Sequence, residues 1–317
     1  MTTPSTDAKE QRRHLLLDTR IVEDVQNADL VLGSVTKHAE NPLFEEDNPW
    51  ERRFDNLYAN IIYDEEEQLY KCWYSPFIVS NSSKGMSISE RKATEYGKHP
   101  QEMGICYATS KDGISWDKPE LGLVDYEGST ANNIVWRGGG IEQWGGPHGT
   151  GIFKDLRDPD PDRRYKALLK DKILSVAFSA DGIHWGAAIA CPEADSHGDC
   201  HNNAFWAPTL GKYVAITRNW RTTDGEYVRQ VARTASDDFV KWDKTEFVLE
   251  GLDSNQQLYA MPVFFHGGVY LGLVAVHDQS TDRVWTELTW SPDTITWHRV
   301  LPGTPLIGND GEEGDYD

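Results

Sequence analysis

The chain has 317 residues, and its 31 Lys and Arg against 51 Asp and Glu give a formal net charge of −20. Such an acidic surface repels phosphate backbones and anionic lipid headgroups, so nucleic acid and membrane surfaces are poor partners for it. The content of 12 Trp, 13 Tyr, 10 Phe and 27 Gly favours strands and tight turns over helices, because rings pack on pleated faces and glycine accepts positive φ.

The start of the chain and its cysteines bear on the cellular compartment. No apolar run of about 7–15 residues follows the basic residues of MTTPSTDAKEQRRH, so we expect no secretory signal and a cytoplasmic protein. No stretch approaches the roughly 18 apolar residues that span a membrane. Cys72, Cys106, Cys191 and Cys200 include no CxxC pair, so they are predicted to be buried thiols.

The pattern Ser-x-Asp-x-x-x-Trp occurs four times along the chain. The copies are residues 110–116, 179–185, 236–242 and 291–297, with starts 69, 57 and 55 residues apart. In the first two copies Asp-Gly separates a β-rich run from the indole, which is typical of a hairpin turn whose glycine has φ > 0. The last two copies lack that glycine. Repetition at this period indicates one structural unit per copy.

Each copy follows an apolar strand, a turn and a second strand rich in Tyr, Val and Leu, so each unit is predicted to hold four strands, A to D. After an N-terminal segment 1–54, the units cover residues 55–125, 147–190, 199–250 and 255–303. Four-stranded antiparallel units at this period are blades of a β-propeller. We therefore expect residues 1–317 to form a single all-β propeller domain.

The number of blades is left open by this pattern. Residues 312–317, at the end of GEEGDYD, stand where each earlier unit has its lead-in to strand A. This favours a five-bladed propeller whose fifth blade is truncated in this chain. The alternative is a four-bladed propeller that the N-terminal segment 14–35 closes.

Strand order predicts which loops share a rim of the propeller. The A/B and C/D hairpins lie on one rim, here called the plain rim. The starts of A, the ends of B and the starts of C lie on the other, here called the funnel rim. The plain rim therefore holds the four Ser-x-Asp turns, which join strands C and D. It also holds the Arg157-Asp158-Pro159 turn, which joins strands A and B of blade two. Asp and Pro are ordinary turn formers at such positions.

Polar side chains occupy the funnel rim at the start of each strand A, where they would point to the central axis. A strand that begins in solvent also begins with polar residues, but the mixture of amides, imidazoles and carboxylates favours a site. The predicted substrate-binding residues are Asn56, Tyr58, Asn60, His148, His201, Asn202, Asn203 and Tyr259. Further polar residues in these lead-ins are Asp55, Asp199, Asn255, Gln256, Glu313, Asp315 and Asp317.

Two loops on the funnel rim are unusual. The segment 75–100 is longer than ordinary loops, which makes it functional or disordered. The segment 136–148 is rich in glycine and carries Trp144. Because it has no GK[ST] sequence, a phosphate cradle is disfavoured. We predict that Trp144 is an aromatic platform over the funnel, with a plain linker as the alternative.

The SADGIHW-type turns, the opening HLLLDTRIV followed by KHAENPLFEED, and FDNLYANIIYDEEEQLYKCWY together resemble the five-bladed β-propeller glycoside hydrolases. This broad group includes invertase/levanase-like and arabinanase/xylosidase-like enzymes. The resemblance implies a glycosidase acting on an oligosaccharide, with funnel carboxylates on blades one, two and three. Asp55 stands at the blade-one position and Asp199 is the nearest carboxylate on blade three, whereas blade two offers His148. The invertase-like Trp-x-Asn-Asp-Pro-x-Gly and Glu-Cys signatures are absent.

Glycosidic bond cleavage needs two carboxyl groups that flank the bond, one protonated and one ionised. We predict Asp55 as general base or nucleophile and Asp199 as the acid, with Asp253, Glu287 and Glu313 as competing acids. Proximity of like charges and desolvation by aromatic walls raise one pKa of such a pair, which keeps one member protonated.

Two other functions compete with hydrolysis. A non-catalytic carbohydrate-binding propeller would use the same amides and aromatic rings without a second carboxylate. A glycoside phosphorylase or transferase would need a basic cluster for phosphate, and only Arg218, Arg229 and Arg283 stand near the funnel rim. No cofactor is predicted. His148 and His201, with Asp199 nearby, could hold a hard cation, but no metal site is predicted because HExxH and calcium-loop spacings are absent.

Overall fold

The computed structural model of the chain describes residues 15–54, 57–82, 84–87, 90, 100–138, 146–223 and 225–308. Short 3-10 turns occur at Thr19–Ile21, Pro161–Arg163 and Pro192–Ala194, and β-strands dominate the rest of the regular structure. In this described part, no helix is long and apolar enough to cross a membrane.

Eighteen strands follow one another along the described residues. They are β1 (Asn60–Asp64), β2 (Leu69–Tyr74), β3 (Phe77–Val79), β4 (Glu102–Ser110), β5 (Ile134–Arg137), β6 (His148–Lys154), β7 (Tyr165–Lys170), β8 (Leu174–Ser179), β9 (Ile189–Ala190), β10 (Asn203–Ala207), β11 (Lys212–Thr223), β12 (Glu226–Ser236), β13 (Glu246–Leu249), β14 (Gln256–Leu258), β15 (Val263–His266), β16 (Val269–Asp278), β17 (Arg283–Ser291) and β18 (His298–Arg299).

These strands form four antiparallel sheets, which are the four blades of a β-propeller. Blade one is β1-β2-β4-β5 with β3 also paired to β4, blade two is β6-β7-β8-β9, and blade three is β10-β11-β12-β13. In blade four, β14 and β15 together form the innermost strand beside β16, and β17 and β18 follow. The predicted all-β propeller with four complete blades is confirmed. The outermost strand of blade one, β5, lies beyond the predicted range 55–125.

In all four Ser-x-Asp turns the Asp carboxylate accepts from the backbone amides of the second and third residues after it. In the first copy the hydroxyl of Ser110 accepts from the amide of Gly113 at 2.8 Å, and the carboxylate of Asp112 accepts from two following amides. The fourth residue of every copy has positive φ, including Phe239 at 64° and Thr294 at 67°. The turn therefore forms without glycine, because side-chain acceptors satisfy its amides.

Consecutive blades pack face to face through buried aromatic and aliphatic side chains. Trp73 and Tyr165 belong to the cluster between blades one and two, Phe239 to the cluster between blades two and three, and Tyr270 to the cluster between blades three and four. All four cysteines are buried and free, as predicted.

A buried ion-pair network at the plain rim of blade two also connects to blade three. Lys166 is fully buried and pairs with Asp155 at 3.1 Å and Asp158 at 2.8 Å. Tyr213 of blade three donates to Asp155 of blade two at 2.6 Å. Asp158 thus lies in the β6–β7 connection, the A/B turn in which the sequence predicts it.

The N-terminal segment packs against both end blades. Its part with Phe44, Trp50, Phe54 and Leu57 packs against the core of blade one. Its earlier part and blade four together line a groove. The residues that line this groove are Leu16, Leu17, Leu30, Val31, Leu32, Gly33, Leu288, Val300 and Leu301. None of the core clusters in the described residues joins blade four to blade one. Residues 312–317, the predicted start of a fifth blade, lie outside the described residues.

Candidate functional site

Two glycines bring the lead-ins of blades two and three into backbone contact at the funnel rim. A Cβ at Gly149 would lie 1.6 Å from the carbonyl oxygen of Cys200, and one at Gly151 would lie 1.8 Å from that of Asn202. The amide of Asn202 donates to the carbonyl of Gly149 at 2.9 Å. Because these positions lack side chains, the lead-in that carries Asp199 lies directly beside β6.

The carboxylate of Asp199 is the centre of a polar cluster built from two blades. His148 Nε2 lies 3.2 Å from Asp199 Oδ1, and Lys170 Nζ lies 3.5 Å from the same oxygen. Arg218 Nη2 lies 3.2 Å from Oδ2 and also donates to the Asp199 backbone carbonyl. The Asp199 side chain is 35% exposed, so it remains accessible from the funnel.

The surroundings of Asp199 hold it in the ionised form. The hydrogen bond from His148 is the largest influence, and together with the charges of Lys170 and Arg218 it keeps the Asp199 pKa well below its usual range, although burial acts in the opposite direction. A general acid needs a raised pKa. This direction argues against the acid role predicted for Asp199 and favours an ionised carboxylate there.

Tyr58 and His201 form an aromatic wall next to this cluster. The Tyr58 ring stacks on His201 with centroids 5.3 Å apart and meets His148 edge-on at 5.5 Å. Nε2 of His201 lies 3.1 Å from Asn60 Oδ1, an oxygen that also accepts from a backbone amide. Burial lowers the His201 pKa to about 4, so the imidazole is neutral at pH 7 and donates from Nε2 to that oxygen.

Three of the predicted asparagines, Asn60, Asn202 and Asn203, hold neighbouring blades together. Oδ1 of Asn60 accepts from the amide of Ile152 in blade two at 3.0 Å, and Oδ1 of Asn203 accepts from the amide of Val263 in blade four at 2.9 Å. Asn202 is fully buried, and its side-chain amide donates to the backbone carbonyl of Gly149 in blade two and to those of Gly198 and Cys200 in its own lead-in. The hydrogen bonds of these three residues connect parts of the propeller backbone. Contact of the same residues with a substrate stays a prediction.

A group of two arginines and two aromatic rings lies at the seam of blades three and four, and of its four residues only Tyr259 is among the predicted site residues. The Arg218 guanidinium carbon lies 5.5 Å from the Trp220 ring centroid and 5.1 Å from that of Tyr259. The Arg229 carbon lies 4.4 and 5.0 Å from the same two rings. We call these four residues the Arg-aromatic cluster. The alternation of Arg218 and Trp220 on one strand was the available signal, but strand pairing was needed to bring Arg229 opposite them.

The remaining predicted residues fall into two groups. Asp55, Asn56, Trp144 and Glu313 lie outside the described residues. Asp253 is exposed and accepts from the amide of Asn255 at 2.9 Å, as a turn former does.

Glu287 is buried and committed to partners within blade four. Arg299 Nη1 donates to it at 2.5 Å and Trp285 Nε1 at 3.0 Å. A carboxylate engaged in this way is a poor competitor for the acid role.

Within the described ranges, no group of three or more His, Cys, Asp or Glu residues is arranged to hold a metal ion.

Comparison with known proteins relates the fold to glycoside hydrolases. No protein-family profile and no curated protein sequence matches the chain. Among solved structures, a putative glycoside hydrolase from Parabacteroides distasonis superposes with a TM-score of 0.59 at 14% identity, covering 89% of this chain and 85% of that one. A fructofuranosidase from Schwanniomyces occidentalis, complexed with fructosylnystose, gives 0.52 at 15% identity, covering 79% and 46%.

These similarities establish a shared β-propeller fold, and the resemblance seen in the sequence is confirmed at that level. The chain spans about half the length of the fructofuranosidase. At such low identity the fold alone is common, because propellers carry unrelated functions. The function of the chain therefore depends on the residues of its funnel.

Proposed function

We propose that the chain is a propeller glycoside hydrolase that cleaves an oligosaccharide in the funnel beside Asp199. The observation that carries the proposal is the partly exposed Asp199 carboxylate, held ionised by His148, Lys170 and Arg218. An ionised carboxylate can attack the anomeric carbon or activate water, which is half of what glycosidic bond cleavage requires. The structural similarity to glycoside hydrolases supports the same activity.

The proposed second carboxyl group is Asp55, in the lead-in of blade one. If Asp55 lies a few ångströms from the Asp199 anion, like-charge repulsion raises the Asp55 pKa. The roles would then be Asp199 as base or nucleophile and Asp55 as acid, the reverse of the assignment from the sequence. A carboxyl separation of about 5–5.5 Å would indicate a retaining enzyme, and one of about 6.5–9.5 Å an inverting enzyme.

A non-catalytic carbohydrate-binding propeller is the second candidate. One observation favours it: Asp199 has three cationic or hydrogen-bonding partners, including one on each of its oxygens. A carboxylate so engaged is a weaker nucleophile and base, because its partners stabilise the anion. In that case the funnel would bind a carbohydrate through its aromatic rings and polar groups without cleaving it.

Three Asp→Asn variants distinguish the two candidates. Asp199→Asn and Asp55→Asn each remove one proposed catalytic charge, so kcat on a panel of aryl glycosides and oligosaccharides is expected to fall about 10²–10⁴-fold. Asp158→Asn, in the plain-rim turn, is the control and should keep kcat within a few-fold. Binding affinity for the same sugars and the melting temperature are measured on all three proteins. Sugar binding without turnover by the unaltered protein would establish the binding module.

We further propose that the propeller has a fifth blade between blades four and one. On blade one, Ile61 and Tyr63 are 55% and 45% exposed, although the corresponding residues of blade three, Ala204 and Trp206, pack against blade two. Phe264 of blade four is similarly exposed.

In a chain that carries a fifth blade, Tyr63→Ser should cost about 1–3 kcal/mol of unfolding free energy, against less than about 0.5 kcal/mol in the 317-residue chain. Equal costs would contradict the fifth blade.

A carbohydrate as the partner, and a cytoplasmic location without nucleic acid or membrane, stay proposals. The funnel's polar and aromatic side chains support a carbohydrate partner, and the acidic composition of the chain disfavours nucleic acid and anionic membrane surfaces.

A further inference from the structure

The Arg-aromatic cluster presents two guanidinium groups on one face of blade three. Arg218 and Trp220 lie two residues apart on β11, and Trp220 is directly opposite Arg229 on β12. Side chains that alternate by two, and those directly opposite, share a face of the sheet. Tyr259 approaches the same face from blade four, so the two arginines lie against the same two rings.

The charge around this cluster is opposite to that of the chain. Although the chain has a net charge of −20, Lys170, Arg218 and Arg229 meet near the funnel. In the described part of the chain, Asp199 alone pairs with Lys170 and Arg218. There Arg229 forms no ion pair, and its Nη1 donates to the neutral amide oxygen of Gln257 at 2.5 Å. Three cations therefore face one described anion, and a funnel Asp55 would still leave an excess of one positive charge.

Two donors of the cluster also lack acceptors. The Nε atoms of Arg218 and Arg229 are buried, and neither has a hydrogen-bond partner among the described residues. Arg218 as a residue is only 7% exposed. An unpaired buried donor is unfavourable, and more so on a charged group. Burial lowers the pKa of Arg229 and the neighbouring Arg218 acts in the same direction, although Tyr259 and Asp199 oppose them.

We propose that the Arg-aromatic cluster is a subsite for an oxyanion carried by the substrate, so that the funnel takes an acidic saccharide such as one with a uronic acid unit. The planar guanidinium fork matches a carboxylate, and equally a phosphate, with two parallel hydrogen bonds. Trp220 and Tyr259 are half-buried, so each can offer an apolar face to a sugar ring. Cleavage of such an acidic saccharide rests on the proposed glycosidase activity, whereas its binding at the cluster does not.

The first test is binding, measured by calorimetry on the intact chain. Glucuronate, galacturonate and mannuronate are compared with glucose, galactose and mannose, and inorganic phosphate is a separate ligand. Charge-assisted hydrogen bonds predict that at least one uronate binds about 10- to 100-fold more tightly than its neutral counterpart. Affinities that are equal within each pair, or no binding of any uronate, would overturn the subsite. If phosphate binds more tightly than every uronate and is required for cleavage, the proposal that the substrate carries the oxyanion is wrong.

Variants locate the effect within the cluster. Arg229→Gln removes the charge and the fork, so it should abolish the preference for each uronate over its neutral counterpart. Arg229→Lys keeps the charge but not the fork, so it should retain only part of the preference. Arg283→Gln, at the exposed start of β17, is the matched control and should change nothing. If Arg229→Gln leaves the preference intact while circular dichroism shows a folded protein, the cluster is not the subsite.

These outcomes separate the subsite from the proposed activity. A uronate preference that disappears in Arg229→Gln establishes the subsite even if no glycoside is cleaved. Cleavage of neutral glycosides with no preference for acidic ones, at a kcat/KM unchanged by Arg229→Gln, would leave the glycosidase and overturn the subsite.

Discussion

Nε2 of His148 on blade two lies 3.2 Å from Oδ1 of Asp199 on blade three, although 51 residues separate them in the chain. Gly149 and Gly151 make this distance possible, because only residues without Cβ atoms let the two lead-ins approach so closely. The contact joins the core packing of the blades to the chemistry of the funnel. It predicts that changes in interblade packing will alter the site.

The Gly151→Ala variant tests this connection. Its Cβ would lie 1.8 Å from the carbonyl oxygen of Asn202, a distance no rotamer can relieve, so the lead-in must shift. We expect a loss of about 3 kcal/mol or more in unfolding free energy and weaker sugar binding. Gly186→Ala is the control, because its nearest neighbour, Phe178 O, would be 3.5 Å from the new Cβ. Urea titration of both variants measures the effect, and similar values for the two would disprove the packing argument.

The lowered Asp199 pKa predicts how stability depends on pH. A carboxyl group with a pKa lower in the folded than in the unfolded state stabilises the fold above the unfolded value of about 3.9. That contribution is lost as pH falls below about 4 toward the folded value. The gap in unfolding free energy between the unaltered chain and Asp199→Asn should therefore be largest at pH 5–7 and shrink by pH 3. Asp253→Asn, at an exposed turn, is the control for replacing an Asp by Asn. A gap independent of pH for Asp199→Asn would contradict the ionised state.

His201 predicts a pH effect in a higher range. Because its pKa is lowered to about 4 in the folded protein, the unfolded chain binds a proton between about pH 6.5 and 4 that the folded chain does not. Stability is thus full above about pH 6.5 and falls as pH decreases, by at most about 1.4 kcal/mol per pH unit. His201→Gln keeps an N–H donor for Asn60 but does not titrate. Chemical denaturation at pH 7, 6 and 5 should show a smaller decline for the variant, and parallel declines would rule the assignment out.

Asn203 separates a structural role from a substrate-binding role. Its Oδ1 accepts the Val263 amide across the seam of blades three and four. Asn203→Ala leaves that amide unpaired and should cost about 1–3 kcal/mol of stability, with sugar affinity little changed. Asn203→Asp retains an acceptor and should lose less stability. If Asn203→Ala instead preserves stability and weakens sugar binding, the substrate contact predicted from the sequence is the correct role.

The sequence determined the blades and their turns, because these depend on residues close together in the chain. Alternating apolar runs and the Ser-x-Asp-x-x-x-Trp pattern predict strands and turns by local hydrogen bonding, and even the copies with Phe239 and Thr294 in place of glycine form the turn. The same local logic predicted the plain-rim position of Asp158. The outermost strand of blade one was missed, because residues 117–133 precede it and carry no blade-like spacing.

The tertiary structure decided which side chains meet in the funnel. Asp199 is surrounded by His148, Lys170 and Arg218, which come from three different strands of two blades. Its pKa, and with it the acid or base role, depends on those through-space distances and on burial, which no spacing along the chain specifies. The pairing of Arg229 with Trp220 likewise follows from strand register. Local sequence therefore set the scaffold of this propeller, and long-range packing set the electrostatics of its site.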